Sequence, residues 1–239
     1  QNEEMFLVTN NYPDGSYVEK TAGYSQSSLG TYIDFKRLLT SRGMDVSPEY
    51  DDMLLKSAYY NIQLYGPNGS NLQWGDDGAG ERTGEKYPEL SKWFGDKTLQ
   101  YIDSFGQKGE KPDWTSMNFP IGTNTFMRSD WTKNALFLFT QVRGTGGHAH
   151  QDDNGVIVIA HDRTLLPDSG IFTYTATDPD RIWGISTAAH NTVEVNNKTG
   201  AATGPGVIYD WVTTDGYDFL SQSSTAYEKA GVDHRRSIL

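Results

Sequence analysis

Apolar residues recur at helical spacing in the first half of the chain and at strand spacing in the second. Between Ser27 and Arg42 they fall at Leu29, Tyr32, Ile33, Phe35, Leu38 and Leu39, one face of a helix that Gly43 ends. Ser47-Pro48-Glu49 supplies an N-cap with proline at the first helical position. The helix it starts runs through Met53, Leu54, Ala58, Tyr59, Ile62 and Leu64 to the Gly66-Pro67-Asn68-Gly69 turn. Another short helix is predicted over Pro88 to Phe105, and the stretch from Gly106 to Thr125, rich in Gly, Lys, Pro and Asn, reads as a connector.

After the connector the period changes. Phe126–Ser129, Ala135–Thr140, Gly155–Ala160, Thr192–Val195, Val207–Val212 and the last residues read as short strands punctuated by Gly, Pro and Asp. Helices followed by strands predict an α+β chain with segregated parts, the strands forming an antiparallel β-sandwich. The boundary is expected near residue 110, with 1–110 helical and 111–239 forming the sandwich. No repeat of useful period is visible.

Composition narrows the function classes. The 239 residues are 36% hydrophobic and 21% charged, as in an ordinary globular protein, and no apolar run is long enough to span a bilayer. The start lacks a basic and apolar leader, so Gln1 reads as a mature terminus or an internal cut. His234-Arg235-Arg236-Ser237-Ile238-Leu239 looks like a strand beginning, which points to a fragment of something longer. With no cysteine, disulfides, thiolate metal sites and cysteine nucleophiles are all excluded. A net charge of -11 argues against binding nucleic acid by phosphate neutralisation. The 14 Tyr and 6 Trp suit sugar rings, but they equally suit a β core.

Candidate chemistry gathers in Gly146-Gly147-His148-Ala149-His150-Gln151-Asp152, in Leu165-Leu166-Pro167-Asp168-Ser169-Gly170, and in Ala188-Ala189-His190-Asn191-Thr192. On an extended strand His148 and His150 would project from one side, joined by Asp152. Two imidazoles and a carboxylate with one position left open make a catalytic zinc-like set. The same residues also read as turn and corner chemistry: His148 follows two glycines, and Asp168 precedes Ser169-Gly170. Spacing alone favours that second reading. His161 and His234 have less local support and read as structural or surface residues.

Taken in order, several segments resemble the heparinase II/III-like family of polysaccharide lyases. They are Tyr12-Pro13-Asp14-Gly15-Ser16-Tyr17-Val18-Glu19 with Tyr24 soon after, Phe126-Met127-Arg128-Ser129-Asp130-Trp131, and the Gly-Gly-His-Ala-His-Gln-Asp stretch. Leu165 to Tyr174 and Ser186-Thr187-Ala188-Ala189-His190-Asn191-Thr192-Val193 complete the resemblance. It implies the C-terminal part of an incomplete α/α toroid followed by an antiparallel β-sandwich. It implies that His150, Asp168 and His190 hold a divalent metal, zinc first, with calcium or manganese as alternatives. Tyr24 is then a catalytic acid or base, His148 faces the substrate, and Arg128 and Trp183 contact it. Two departures stand out. The family's toroid asparagine precedes this chain, so an N-terminal toroid segment of the same protein is expected to complete the site. Trp183 also stands where many members have tyrosine. A bacterial periplasmic or secreted setting and a homodimer are further expectations.

The implied reaction is β-elimination at a uronic acid of an acidic polysaccharide or oligosaccharide. A base takes the proton at C5 and the C4–O bond breaks, so charge developing on the carboxylate must be stabilised. Either Tyr24 or His148 can serve as the base. Arg128, Arg143 and Arg181 could supply local positive charge against the acidic global field, which sparsely charged substrates need least. A uronyl C5-epimerase would use the same abstraction, and an inactive carbohydrate-binding sandwich is the alternative from a different class. A hydrolase's paired carboxylates are not demanded by the pattern.

Overall fold

The Ser47 hydroxyl accepts a hydrogen bond from the Tyr50 amide at 3.2 Å, with Pro48 in the first turn behind it. Such a cap contributes about 1 kcal/mol, and it sets the register of the central helix. The computed structural model describes residues 2–19, 21–142 and 147–239. Its helices come first: α1 (Asn2–Asn10), α2 (Ala22–Ser41), α3 (Pro48–Gln63), α4 (Pro88–Phe94) and α5 (Lys97–Asp103). Leu29, Tyr32 and Ile33 of α2 pack on Tyr50, Leu54 and Ala58 of α3, with Leu90 and Leu99 closing the same core. Burying each such large side chain contributes about 1.5–3 kcal/mol.

Two helices depart from the expected bounds. α2 starts before Ser27, which puts Tyr24 in its first turn. The helix expected over Pro88–Phe105 is two helices, because Gly95 takes a left-handed φ of 61° and Asp96 then caps α5 by accepting from the Leu99 amide at 2.8 Å. Among the described residues no helix is long and apolar enough to cross a membrane.

The strands form two antiparallel sheets. The first runs in sequence order: β1 (Met117–Phe119), β2 (Asn124–Arg128), β3 (Phe137–Gln141), β4 (Val156–Ala160) and β5 (Arg163–Leu166). After a short helix, α6 (Pro179–Gly184), the second sheet contains β6 (Val207–Thr213), β7 (Asp218–Ser224) and β8 (His234–Ile238). The α+β class with helices ahead of antiparallel sheets is therefore as expected. Phe126 lies opposite Phe139, and Phe139 opposite Ile157, so one face of the first sheet is a continuous apolar row. That row packs on Tyr60, Leu64 and Trp74, which makes a second core shared by the helices and the sheet. The sheets are joined by Gln222, which donates to the Thr140 hydroxyl at 2.9 Å, and by Asn154, which donates to the His234 carbonyl at 2.8 Å.

The connector and the strand list need correction. Residues 106–125 contain β1 and the start of β2, because Phe119 is apolar enough to join the shared core. Thr192–Val195 is not a strand; only Val195 makes an isolated bridge, to Lys198. The Asp14-Gly15-Ser16 segment is a structural pin. The Asp14 carboxylate accepts from the amides of Ile121 and Gly122 at 2.8 and 3.0 Å, fastening the helical part to the β1–β2 turn. His234 is buried in β8, whereas His161 is exposed in the β4–β5 turn.

Candidate active site

His148 and His150 lie in the loop between β3 and β4, not on the extended strand expected for them. Backbone hydrogen bonds hold this loop in place of a strand ladder. The His148 amide donates to the Glu19 carbonyl at 3.1 Å, the Asp76 amide donates to the His148 carbonyl at 2.9 Å, and the Gln151 amide donates to the Ile185 carbonyl at 3.0 Å. Gly147 makes the approach possible. Its φ is 56°, and a Cβ there would run into the Glu19 backbone.

The loop brings both imidazoles to one carboxylate that sequence reasoning missed, Asp76 in the segment between α3 and α4. Asp76 Oδ1 lies 2.9 Å from His150 Nε2, and Asp76 Oδ2 lies 3.2 Å from His148 Nδ1. Arg181, on α6, donates to both oxygens, through Nη2 to Oδ2 at 3.1 Å and through Nη1 to Oδ1. Burial alone would raise the Asp76 pKa, but hydrogen bonds from Arg181, His150 and His148 outweigh it and hold the carboxyl below the ordinary carboxylate range. An ionised Asp76 accepts, so His148 carries its proton on Nδ1 and His150 carries its proton on Nε2. The lone pairs are left on the opposite nitrogens.

His150 Nδ1 and His190 Nε2 are both buried with no hydrogen-bond partner. His190 Nδ1 lies 2.7 Å from Asp168 Oδ2, and donor atoms of His150, Asp168 and His190 all lie within 4.8 Å of one another. Two imidazoles, each with an unpartnered buried nitrogen, clustered with a carboxylate are a donor set that fits a divalent cation. The Asp76–His150 contact is the carboxylate–histidine arrangement that orients metal-ligating imidazoles. Burial depresses the His150 pKa, partly offset by Asp76. For His190 burial acts downward too, but the Asp168 hydrogen bond and charge outweigh it and raise the value. Asp152 does not join the histidines in a row. It is buried, accepts from Gln141 Nε2 at 3.0 Å, and is pushed up to about 7 by burial, with the Asp168 and Asp153 charges adding to the rise and His190 opposing it.

The second half of the site is aromatic. Tyr24 lies flat on His148, with ring centroids 3.9 Å apart and planes 12° from parallel. Its hydroxyl is 2.8 Å from that of Tyr174, a phenol in the Leu165–Tyr174 segment to which the sequence assigned no role. The Tyr174 pKa is pushed up to about 12 by burial, the Tyr24 hydrogen bond and the Asp76 charge. The Arg181 guanidinium sits 5.5 Å from the Tyr174 ring centroid. Gly170 lets the segment reach the site; its φ is 58°, and a Cβ there would meet the Asp77 carbonyl.

Tyr24, His148, His150, Asp168 and His190 are thus gathered together, with Asp76 bridging the two loop histidines. Trp183 stands exposed on α6, two residues beyond Arg181. Arg128 is placed differently from expectation: its guanidinium is buried against Trp131 and Phe137, so it offers no open charge to a polyanion. Arg181 is at the site, but its charge is matched by Asp76. Arg143 lies outside the described residues. The tandem Asp76-Asp77 after Trp74-Gly75 was the one signal in the sequence for the missed carboxylate.

Residues 127–239 match the family profile described as heparinase II/III-like, C-terminal. A heparin-sulfate lyase from Bacteroides stercoris is 24% identical over 95% of this chain, which spans 35% of that protein. Among solved structures, a heparinase III superposes with a TM-score of 0.90 at 23% identity, covering 99% of this chain and 38% of the other. The heparan sulfate lyase HepC from Pedobacter heparinus gives 0.87 at 19% identity, covering 98% and 38%. This chain is similar to little more than a third of each relative's length.

Proposed function

We propose, from the match of residues 127–239 to the heparinase II/III-like C-terminal profile, that this chain carries the catalytic cleft of a polysaccharide lyase. The substrate is a uronic-acid-containing polysaccharide, cut by β-elimination. The observation that carries the reading is the stack of Tyr24 on His148, fixed by Asp76 beside the His150–Asp168–His190 cluster.

His148 is the base in this reading. Its Nδ1 proton is engaged by Asp76, so Nε2 presents a lone pair that takes the C5 proton. Tyr24 lies flat on the same ring, so its O–H shares the face of the sugar that His148 attacks. Tyr24 therefore serves as the acid. Its O–H protonates the leaving C4 oxygen as the C4–O bond breaks and the C4–C5 double bond forms. The Tyr174 hydroxyl, 2.8 Å away, is placed to relay a proton from water to Tyr24 while His148 releases the C5 proton to solvent, which restores both groups. Base and acid in one stack serve one face of the sugar, which suits elimination; an epimerase needs proton donors on both faces.

A divalent metal, proposed as zinc with calcium or manganese as alternatives, would be held by His150, His190 and the Asp168 carboxylate. When bound it supplies positive charge close to the reacting groups. The Arg181–Asp76 pair leaves little unmatched positive charge here, so sparsely sulfated chains of the heparan type are favoured over densely sulfated ones. An N-terminal toroid segment of the same protein completes the cleft, and a periplasmic or secreted setting goes with a polysaccharide substrate.

The test uses the full-length protein with uronic-acid polymers and follows the absorbance of the unsaturated product. Tyr24→Phe is expected to lower kcat about 10²–10⁴-fold with metal content unchanged. Deuterium appearing at C5 without any unsaturated product would replace elimination with epimerisation.

A further inference from the structure

Arg128 is a buried charge that the proposed chemistry does not use. It is 6% exposed, with its guanidinium carbon 4.6 Å from the Trp131 ring centroid and 4.8 Å from that of Phe137. Its Nε is buried with no hydrogen-bond partner, and it enters no ion pair among the described residues. Burial pulls its pKa down to about 9, Arg82 adds to the fall and Asp130 opposes it, so the group remains cationic at neutral pH. Aromatic faces recover part of what a buried cation loses on leaving water, but a partner of opposite sign is needed for the rest.

Arg82 has the same defect. It donates to the carbonyls of Ile102 and Asp103 at 3.1 and 2.9 Å, and its Nη1 lies 3.4 Å from the Asp103 carboxylate. Its Nε is nevertheless buried without a partner. Asp103 pairs with Arg82, whereas Arg128 feels the Asp130 charge only from beyond ion-pair distance. Both arginines line a single small cavity of about 30 Å³, walled also by Tyr65, Gly66, Phe105 and Trp131.

We infer that this cavity, between the end of β2 and the turn after α5, is a binding site for one small monovalent anion of the halide class, chloride being the common example. One such ion neutralises the surplus charge and can accept from both guanidinium groups. The volume suits it: a water needs at least about 10–15 Å³, so 30 Å³ holds one ion but no sugar sulfate with its ring. Water alone would satisfy the donors and leave the charge unmatched. The site stands apart from the histidine cluster. Its role is to tie the helical part, through Arg82 and α5, to β2 of the sheet.

Bromide soaked into crystals of the full-length protein is expected to give an anomalous peak between Arg82 and Arg128. At constant ionic strength, chloride in place of gluconate should raise the melting temperature by about 2 °C, saturably, and Arg128→Met should abolish that rise. If the variant does not fold, the bromide map and the anion dependence of the unaltered protein decide. A cavity holding only water, with identical melting in chloride and gluconate, overturns the inference.

Discussion

Replacing Asp76 by asparagine removes one negative charge and converts one acceptor oxygen into an NH2 donor. Asp76 is 4% exposed at its side chain and accepts from four donor atoms, on Arg181 twice, on His150 and on His148. Wherever the new NH2 points, it faces an N–H and forces one imidazole to change tautomer. If it faces His150, the proton moves to Nδ1 and the orphaned metal-facing lone pair is lost. If it faces His148, Nε2 becomes protonated and the base is lost. Arg181 is left beside an amide, and breaking a buried charge pair costs about 3–5 kcal/mol, toward the lower end here because the Arg181 side chain is 18% exposed. Asp76→Asn is therefore expected to lower kcat about 10²–10⁴-fold, equivalent to about 3–5 kcal/mol in the barrier. Metal affinity should fall about 10–100-fold as the support behind His150 is lost. Steady-state kinetics on a uronic-acid polymer, metal analysis and nitrogen NMR of the imidazoles measure each part. Full kcat with stoichiometric metal and unchanged tautomers would refute the reasoning.

Two other outcomes follow from the same geometry. Gly147→Ala places a Cβ against the Glu19 backbone at a φ of 56°, so it should destabilise by more than about 1 kcal/mol and displace His148; denaturant melts and kcat should fall together. In metal-free protein the raised His190 pKa makes the Asp168 pair stabilising below the unfolded value of about 6.5, and that contribution is lost as pH rises through the higher folded value. Melting temperature against pH should show that decline in apo protein, and Asp168→Asn should flatten it.

Much of the scaffold was legible because its signals are local. Ser47-Pro48 announces α3, and alternating aromatics announce β2 and β3, since capping and burial act within a few residues. β7 was not legible. Its Ser221, Gln222, Ser223 and Ser224 carry no apolar alternation, yet they are buried, with Arg235, Thr140 and Asp153 from other segments bonding Ser221, Gln222 and Ser224. The break at Gly95 was hidden for a related reason: glycine and aspartate make a turn only when the flanking helices have somewhere to pack.

Local patterning was enough for the helix-then-strand order, and family resemblance, not spacing, named Tyr24, His148, His150, Asp168 and His190 as a group. Tertiary structure decided what joins them. Asp76 comes from a loop 72 residues before His148 and Arg181 from a helix 105 residues after Asp76, so no local period could pair them. It likewise withdrew Arg128 from the cleft, because a residue's charge is written in the sequence but its solvent exposure is set by what folds over it.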